Sequence, residues 1–191
     1  MRLGIFGGSF DPPHVGHLLA ASDAYEALGL DRLTFVPTAI QPLKAEVRAA
    51  PAHQRLAMVR LLAGSDGRFA VDATEIDRAG LSYTVDTLES FARRFPTAER
   101  FFLVGEDAMA AFGSWRAPDR ILELAKVAVL RRPLSSGAER PALPDGTILL
   151  PTRLVDVSST EIRERVRCGK SLYGFVPEPV AEFIEAERLY R

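Results

Sequence analysis

Short apolar runs rich in β-branched and aromatic residues alternate along the chain with longer segments whose apolar residues recur at three-to-four spacing. That alternation is the pattern of βαβ units, in which successive strands pair in parallel and helices cover the sheet. Strands are expected near Leu3 to Phe6, Arg32 to Val36, Phe69 to Asp72, Phe101 to Val104, Val127 to Leu130 and Thr147 to Leu150. Helices are expected at about His17 to Leu28, Ala52 to Leu62, Tyr83 to Arg94 and Asp119 to Leu124. From Ser158 onward the pattern is helical only, over Ser159 to Cys168 and, after Pro177 and Pro179, Val180 to Glu187. The expected fold class is α/β: a Rossmann-like, doubly wound, mostly parallel sheet with appended C-terminal helices. It forms one domain over 1–191, with the core over about 1–150 and the helical part over about 158–191. Two irregular stretches, Pro37 to Ala50 and Pro133 to Gly146, interrupt the rhythm, and loops of that length usually carry function or move.

Composition excludes several classes of function. With 191 residues, 47% of them hydrophobic, the chain can bury one well-developed core. A formal charge of -1 supplies no global basic field, so long nucleic acids are disfavoured as partners, whereas a local cationic pocket for a small phosphorylated ligand fits. Cys168 is the single cysteine, which removes internal disulfides and cysteine-built metal sites. The run Leu3 to Phe6 is too short for a signal-peptide core, and no apolar stretch approaches ~20 residues. A cytoplasmic, soluble protein with no membrane partner is expected. Homo-oligomerisation is compatible with the sequence, which decides no oligomeric state.

The chemistry concentrates in the opening stretch GGSFDPPHVGH, residues 7–17. In an open parallel sheet, ligands bind beyond the carboxyl ends of the strands, where strand order reverses, and the first strand and its loop usually define that point. Gly7 and Gly8 allow a sharp turn and close approach to a ligand, and the next helix offers N–H groups to a phosphate. The stretch matches neither GxGxxG nor GxxxxGK[ST]. It carries instead two of the chain's three histidines, His14 and His17, spaced to project toward one phosphate-binding space. Zinc ligation is the weaker reading, because a third ligand is missing and His53 lies elsewhere. A purely structural helix start is the other alternative. Asp11 before proline reads as a turn former.

A second anion site is suggested by VDVSSTEIRERV, residues 155–166. Ser158 and Glu161 have the S-x-x-E spacing of a capping box, so a helix starts here. Its N–H groups, the Ser159 and Thr160 hydroxyls and the Arg163 guanidinium one turn on could hold one anion, with a solvated surface arginine as the competing reading.

Together, HVGH near the start and SSTEIR near the end resemble the nucleotidyltransferase superfamily that carries an HxGH motif and an ISSTxIR-like motif. SYTVDTL at Ser82 to Leu88, GED at Gly105 to Asp107, the lone Trp115, RRP at Arg131 to Pro133 and a terminal LYR narrow the resemblance. The ordered set, spanning essentially the whole chain, is similar to the bacterial nicotinate-nucleotide adenylyltransferase family. That resemblance implies transfer of AMP from ATP to nicotinate mononucleotide, yielding nicotinate adenine dinucleotide and pyrophosphate in NAD biosynthesis, with Mg2+ on the triphosphate.

Residue by residue, the resemblance implies catalytic roles for His14, His17, Lys44 and Arg163. It implies ATP contacts at Gly7, Gly8, Ser9, Phe10, Gly105, Asp107, Arg132, Ser159 and Thr160, with Ser9 standing where threonine is frequent. Tyr83, Thr84 and Trp115 fall on the nicotinate side, where a ring can stack on the pyridine and helix N–H groups can bind its carboxylate. As alternatives, Tyr83 and Trp115 are core aromatics and Asp107 is a helix cap. The family's common PHK reads Pro42-Leu43-Lys44 here, so an imidazole is lost beside the retained base. The competing functions are a phosphopantetheine adenylyltransferase of the same superfamily and a non-catalytic nucleotide-binding sensor.

Overall fold

A computed structural model of the protein describes residues 1–40, 49–131, 143–153 and 155–191. Among these, β1 (Arg2–Gly8), β2 (Arg32–Pro37), β3 (Phe69–Val71), β4 (Glu99–Gly105), β5 (Lys126–Leu130) and β6 (Ile148–Leu150) form one sheet in the order β3-β2-β1-β4-β5-β6. Every pairing is parallel. Strand order reverses between β1 and β4, which is where the doubly wound topology opens a crevice at the carboxyl ends.

The helices are α1 (Val15–Ala27), α2 (Ala52–Ala63), α3 (Thr74–Arg78), α4 (Thr84–Arg94), α5 (Glu106–Met109), α6 (Pro118–Leu124), α7 (Ser159–Arg167) and α8 (Glu178–Ala186). Successive strand residues point to opposite faces, and both faces are covered, which is why the strands read as nearly continuous apolar runs. On one face Phe6, Phe35, Phe101 and Leu103 pack with Ala21 and Ala24 of α1, Met58 and Leu62 of α2, Ile162 of α7, and Val180 and Ile184 of α8. On the other, Leu3, Ile5, Phe102 and Val104 pack with Leu88 and Phe91 of α4 and Ile121 and Leu124 of α6. The C-terminal helices therefore complete one layer of the core.

The expected strands and long helices all form, with shifts that have local causes. β4 starts at Glu99 because polar residues also pair at the sheet rim, where Glu99 bridges Arg2 at 3.2 Å and Lys126 at 2.6 Å. α1 begins at Val15, two residues before the expected start, because His14 is its N-cap and the Val15 N–H donates to the Phe175 carbonyl at 3.0 Å. α3 and α5 were not expected, since five and four residues are too few to display a helical period.

Candidate active site

A cleft of about 400 Å³ lies at the carboxyl ends of β1 and β4, floored by Gly7, Gly8 and Gly105 and walled by His14, His17, Tyr83, Thr84 and Trp115. Its position is the one that the strand reversal dictates. At Gly8 a Cβ would stand 3.0 Å from the Phe10 ring, tighter than ordinary contact. Phe10 is 1% exposed and takes a left-handed φ of 48°. Burying a phenylalanine gains about 2–3 kcal/mol, more than the roughly 1–2 kcal/mol the left-handed conformation costs, so packing holds the turn. Its ring meets Phe6 edge-on at 5.6 Å and His17 at 5.0 Å, which ties the loop to the strand and to the catalytic candidate.

The two imidazoles come together at the start of α1, their centroids 3.8 Å apart. The His14 backbone N–H donates to His17 Nδ1 at 3.2 Å. An Nδ1 that accepts leaves the ring proton of neutral His17 on Nε2, so the bond selects the tautomer that presents a donor. The glycine between them has its own function: a Cβ on Gly16 would lie 2.9 Å from His14 Nδ1 and 3.0 Å from its Cε1. His14 is thus buried by folding back over Gly16.

The α7 residues meet this loop from behind. Ser158 Oγ accepts from the Glu161 N–H at 3.1 Å, so the expected cap forms. Ser159 Oγ donates to the Pro12 carbonyl at 2.8 Å, and Arg163 donates to the Asp11 carbonyl at 2.7 Å and to Thr160 Oγ1 at 3.1 Å. Ser158 lines the main cleft, whereas Arg163 lines a separate surface depression with Arg167 and Arg188. Ser159 and Arg163 are thereby brought to the opening loop, with Arg163 anchoring its backbone and Thr160 meeting that guanidinium from within α7.

The far end of the cleft holds the other predicted group. Tyr83 is the N-cap of α4 and Thr84 its first residue; Gly105 ends β4 and is the N-cap of α5, and the exposed Asp107 lines the mouth. Trp115 packs on Phe112 and Phe102 with ring centroids 5.5 and 6.1 Å away, and it lines the cleft as well. Arg116 stacks over the Tyr83 ring at 4.8 Å. Lys44 and Arg132 lie outside the described residues, as does Leu43. Among the described residues, no three of His, Cys, Asp and Glu cluster as metal ligands, and no helix is long and apolar enough to cross a membrane.

Two buried ionisable residues at the site were not anticipated. Arg55 is 3% exposed and donates to the carbonyls of Ala50, Ser9 and Ala39 at 2.9, 2.8 and 2.8 Å. Burial lowers its guanidinium below the ordinary arginine value, and the neighbouring Asp11 opposes that shift. Its signal in the sequence is an arginine on the stripe 55, 58, 59, 62 that α2 otherwise fills with apolar side chains. Glu75, 4% exposed, lines the cleft and accepts from Thr87 Oγ1 at 2.6 Å. Burial raises its carboxyl above the ordinary value against the hydroxyl bonds from Thr87 and Ser82. No periodicity marks Glu75, because α3 is a single short turn.

Known proteins resemble this chain in sequence and in fold. The cytidylyltransferase-like family model matches residues 5–165. A Gemmatimonas aurantiaca protein named "Probable nicotinate-nucleotide adenylyltransferase" is 50% identical over 198 residues, covering 100% of this chain and 93% of that protein. A Thermus thermophilus protein of the same name is 47% identical, with 100% of both chains covered. Among solved structures, a Plasmodium falciparum nicotinic acid mononucleotide adenylyltransferase complexed with NaAD superposes with a TM-score of 0.77 at 16% identity, over 99% of this chain and 97% of that one. That last likeness is one of fold. With a family model over most of its length and relatives near half identity from end to end, the chain belongs to the cytidylyltransferase-like proteins and, within them, to the nicotinate-nucleotide adenylyltransferase family.

Proposed function

We propose that this protein transfers AMP from MgATP to nicotinate mononucleotide in the cytoplasm, forming nicotinate adenine dinucleotide and pyrophosphate. The observation that carries the reading is one cleft with paired imidazoles at one end and Tyr83, Thr84 and Trp115 at the other, in a chain of this family. A phosphate oxygen of the mononucleotide attacks the α-phosphorus of ATP; the new P–O bond forms as the α–β bridging bond breaks, and pyrophosphate leaves with that electron pair. The attacking phosphate is largely dianionic at neutral pH, so no strong base or covalent nucleophile is required. Orientation and charge stabilisation are sufficient.

His17 Nε2–H and the His14 ring donate to the triphosphate oxygens where charge grows, and Gly7 to Phe10 leave room for the phosphates. Lys44 and Arg163 add positive charge, and Ser159 and Thr160 shape the same end. Gly105, Asp107 and Arg132 take the adenosine side. Trp115 stacks on the pyridine while N–H groups at the start of α4, beside Tyr83 and Thr84, take the carboxylate, which favours the acid over the amide. Magnesium arrives with the triphosphate as part of the substrate.

The test is pyrophosphate release from MgATP with nicotinate mononucleotide, nicotinamide mononucleotide or phosphopantetheine offered separately. Turnover with the nicotinate compound, faster than with its amide, is expected. Turnover with phosphopantetheine alone, or ATP binding with no acceptor used, would overturn the assignment.

A further inference from the structure

Behind the opening loop sits a buried polar cluster around Asp11 in which Arg163 alone has a role in the proposed reaction. Asp11 is 5% exposed, and its Oδ1 accepts from the Tyr190 hydroxyl at 2.7 Å and from the Ala50 N–H at 3.1 Å. Its carbonyl accepts from Arg163 at 2.7 Å, and its Oδ2 lies 3.9 Å from the same guanidinium. Arg55 adds the bonds to Ser9, Ala39 and Ala50. One aspartate thus joins four regions: the loop that leads from β1 to His14, the residue before the α2 N-cap, α7 and the C-terminal tail.

The tail is built to reach it. Arg188 and Tyr190 both take left-handed backbone conformations, φ 51° and 65°, which L side chains adopt only when something repays the strain. Between them Leu189 is 8% exposed and inserts into the core, and its N–H donates to the Ile184 carbonyl. The alternation turns Leu189 inward and carries the Tyr190 phenol back to Asp11. Burial and the Asp11 carboxylate push that phenol well above the ordinary tyrosine value, so its O–H remains a donor.

We propose that Tyr190 and Asp11 are positioning residues for AMP transfer: the C-terminal tail braces the Ser9–Pro12 turn and, through it, sets where His14 and His17 stand. Phe10, next to Asp11, packs against the His17 ring at 5.0 Å, so displacement of the turn displaces the imidazole. Misplacing a donor slows the chemical step while leaving distant substrate contacts intact. This inference rests on the assigned reaction for its kinetic readout and on backbone protection for an independent one.

Steady-state pyrophosphate release and native-state deuterium uptake test it together, well below the melting temperature. Tyr190→Phe, which removes one oxygen, is expected to lower kcat about tenfold with KM for both substrates within about twofold. Asp11→Asn, which keeps the acceptor oxygen, stays within about threefold of the unsubstituted protein, while Asp11→Ala falls by about thirtyfold. The double variant Asp11→Ala/Tyr190→Phe is no slower than Asp11→Ala, because the two groups act as one unit. Multiplicative losses in the double variant, or Tyr190→Phe turnover within twofold of the unsubstituted protein, would overturn the brace. Without substrates, Tyr190→Phe should raise deuterium uptake at the Ala50 amide and across residues 14–17. Unchanged uptake there refutes the brace even in a protein that fails to turn over nicotinate mononucleotide, which separates the two failures.

Discussion

Gly16 shows how one residue links packing to chemistry. Its missing Cβ leaves the space into which the His14 ring folds, at what would be 2.9 Å. Gly16→Ala should therefore lower kcat at least ~10-fold by shifting that ring, while thermal stability changes little, since alanine raises helix propensity by about 1 kcal/mol against the added crowding. Steady-state kinetics beside a melting curve separate the two effects. His17→Ala removes the donor itself and should cost ~100-fold or more in turnover, again with near-normal melting. At the other end of the cleft, Glu75 is held above its ordinary value mainly by burial. In the interval between its unfolded and folded values the folded state binds the extra proton, so its contribution to stability declines as pH rises through that interval. Urea unfolding should show Glu75→Gln gaining stability relative to the unsubstituted protein as pH is raised from the ordinary carboxylate range, and a flat difference profile would count against the shift.

At the scale of elements, α2 carries the least obvious task. Its apolar stripe docks it on the sheet, and Arg55, on that same stripe, ties Ser9 after β1 and Ala39 after β2 to Ala50, just before the α2 N-cap. Arg55→Met would keep most of the volume but strand three buried carbonyls and remove one of the two positive charges near Asp11, leaving only Arg163 beside it. The expected cost is about 3–5 kcal/mol, or a fall of about 10 °C in melting temperature. The reason this staple was hard to read in the sequence is physical: an arginine in an apolar stripe can reach solvent along its own stem, and only the carbonyls converging on it keep it inside. The long helices were legible because each shows its period over many residues, and the six strands because each is a short apolar run set between turn signals. α3, α5 and the 3₁₀ turn Phe112–Ser114 were not, because their shape comes from what they pack against.

For the whole molecule, strand reversal puts the cleft between the two halves of the sheet, with β1 on one side and β4 on the other. A ligand there bridges both halves and binds the folded state alone. MgATP at about 100 times its dissociation constant should add about 2.7 kcal/mol, a rise of about 5–10 °C in melting temperature. His17→Ala should bind less tightly and show a smaller rise under the same conditions, which scanning calorimetry would resolve. The brace at Asp11 belongs to this scale too, since it joins residues 179 positions apart in the chain.

The sequence was sufficient for the βαβ order, the strand and helix positions, the GGSFDPPHVGH loop and the helix cap at Ser158, because each depends on a local period, a turn residue or a short spacing. Even the likeness to a nucleotidyltransferase rested on motifs read in line. What only the folded chain decided was which groups share a site: that Arg163 reaches the Asp11 carbonyl, that Glu75 enters the cleft, that Arg55 is buried, and that Tyr190 returns to the first loop. Those are pairings between distant segments. Their geometry is set by how the layers pack, and a linear pattern carries no record of it until the core has closed.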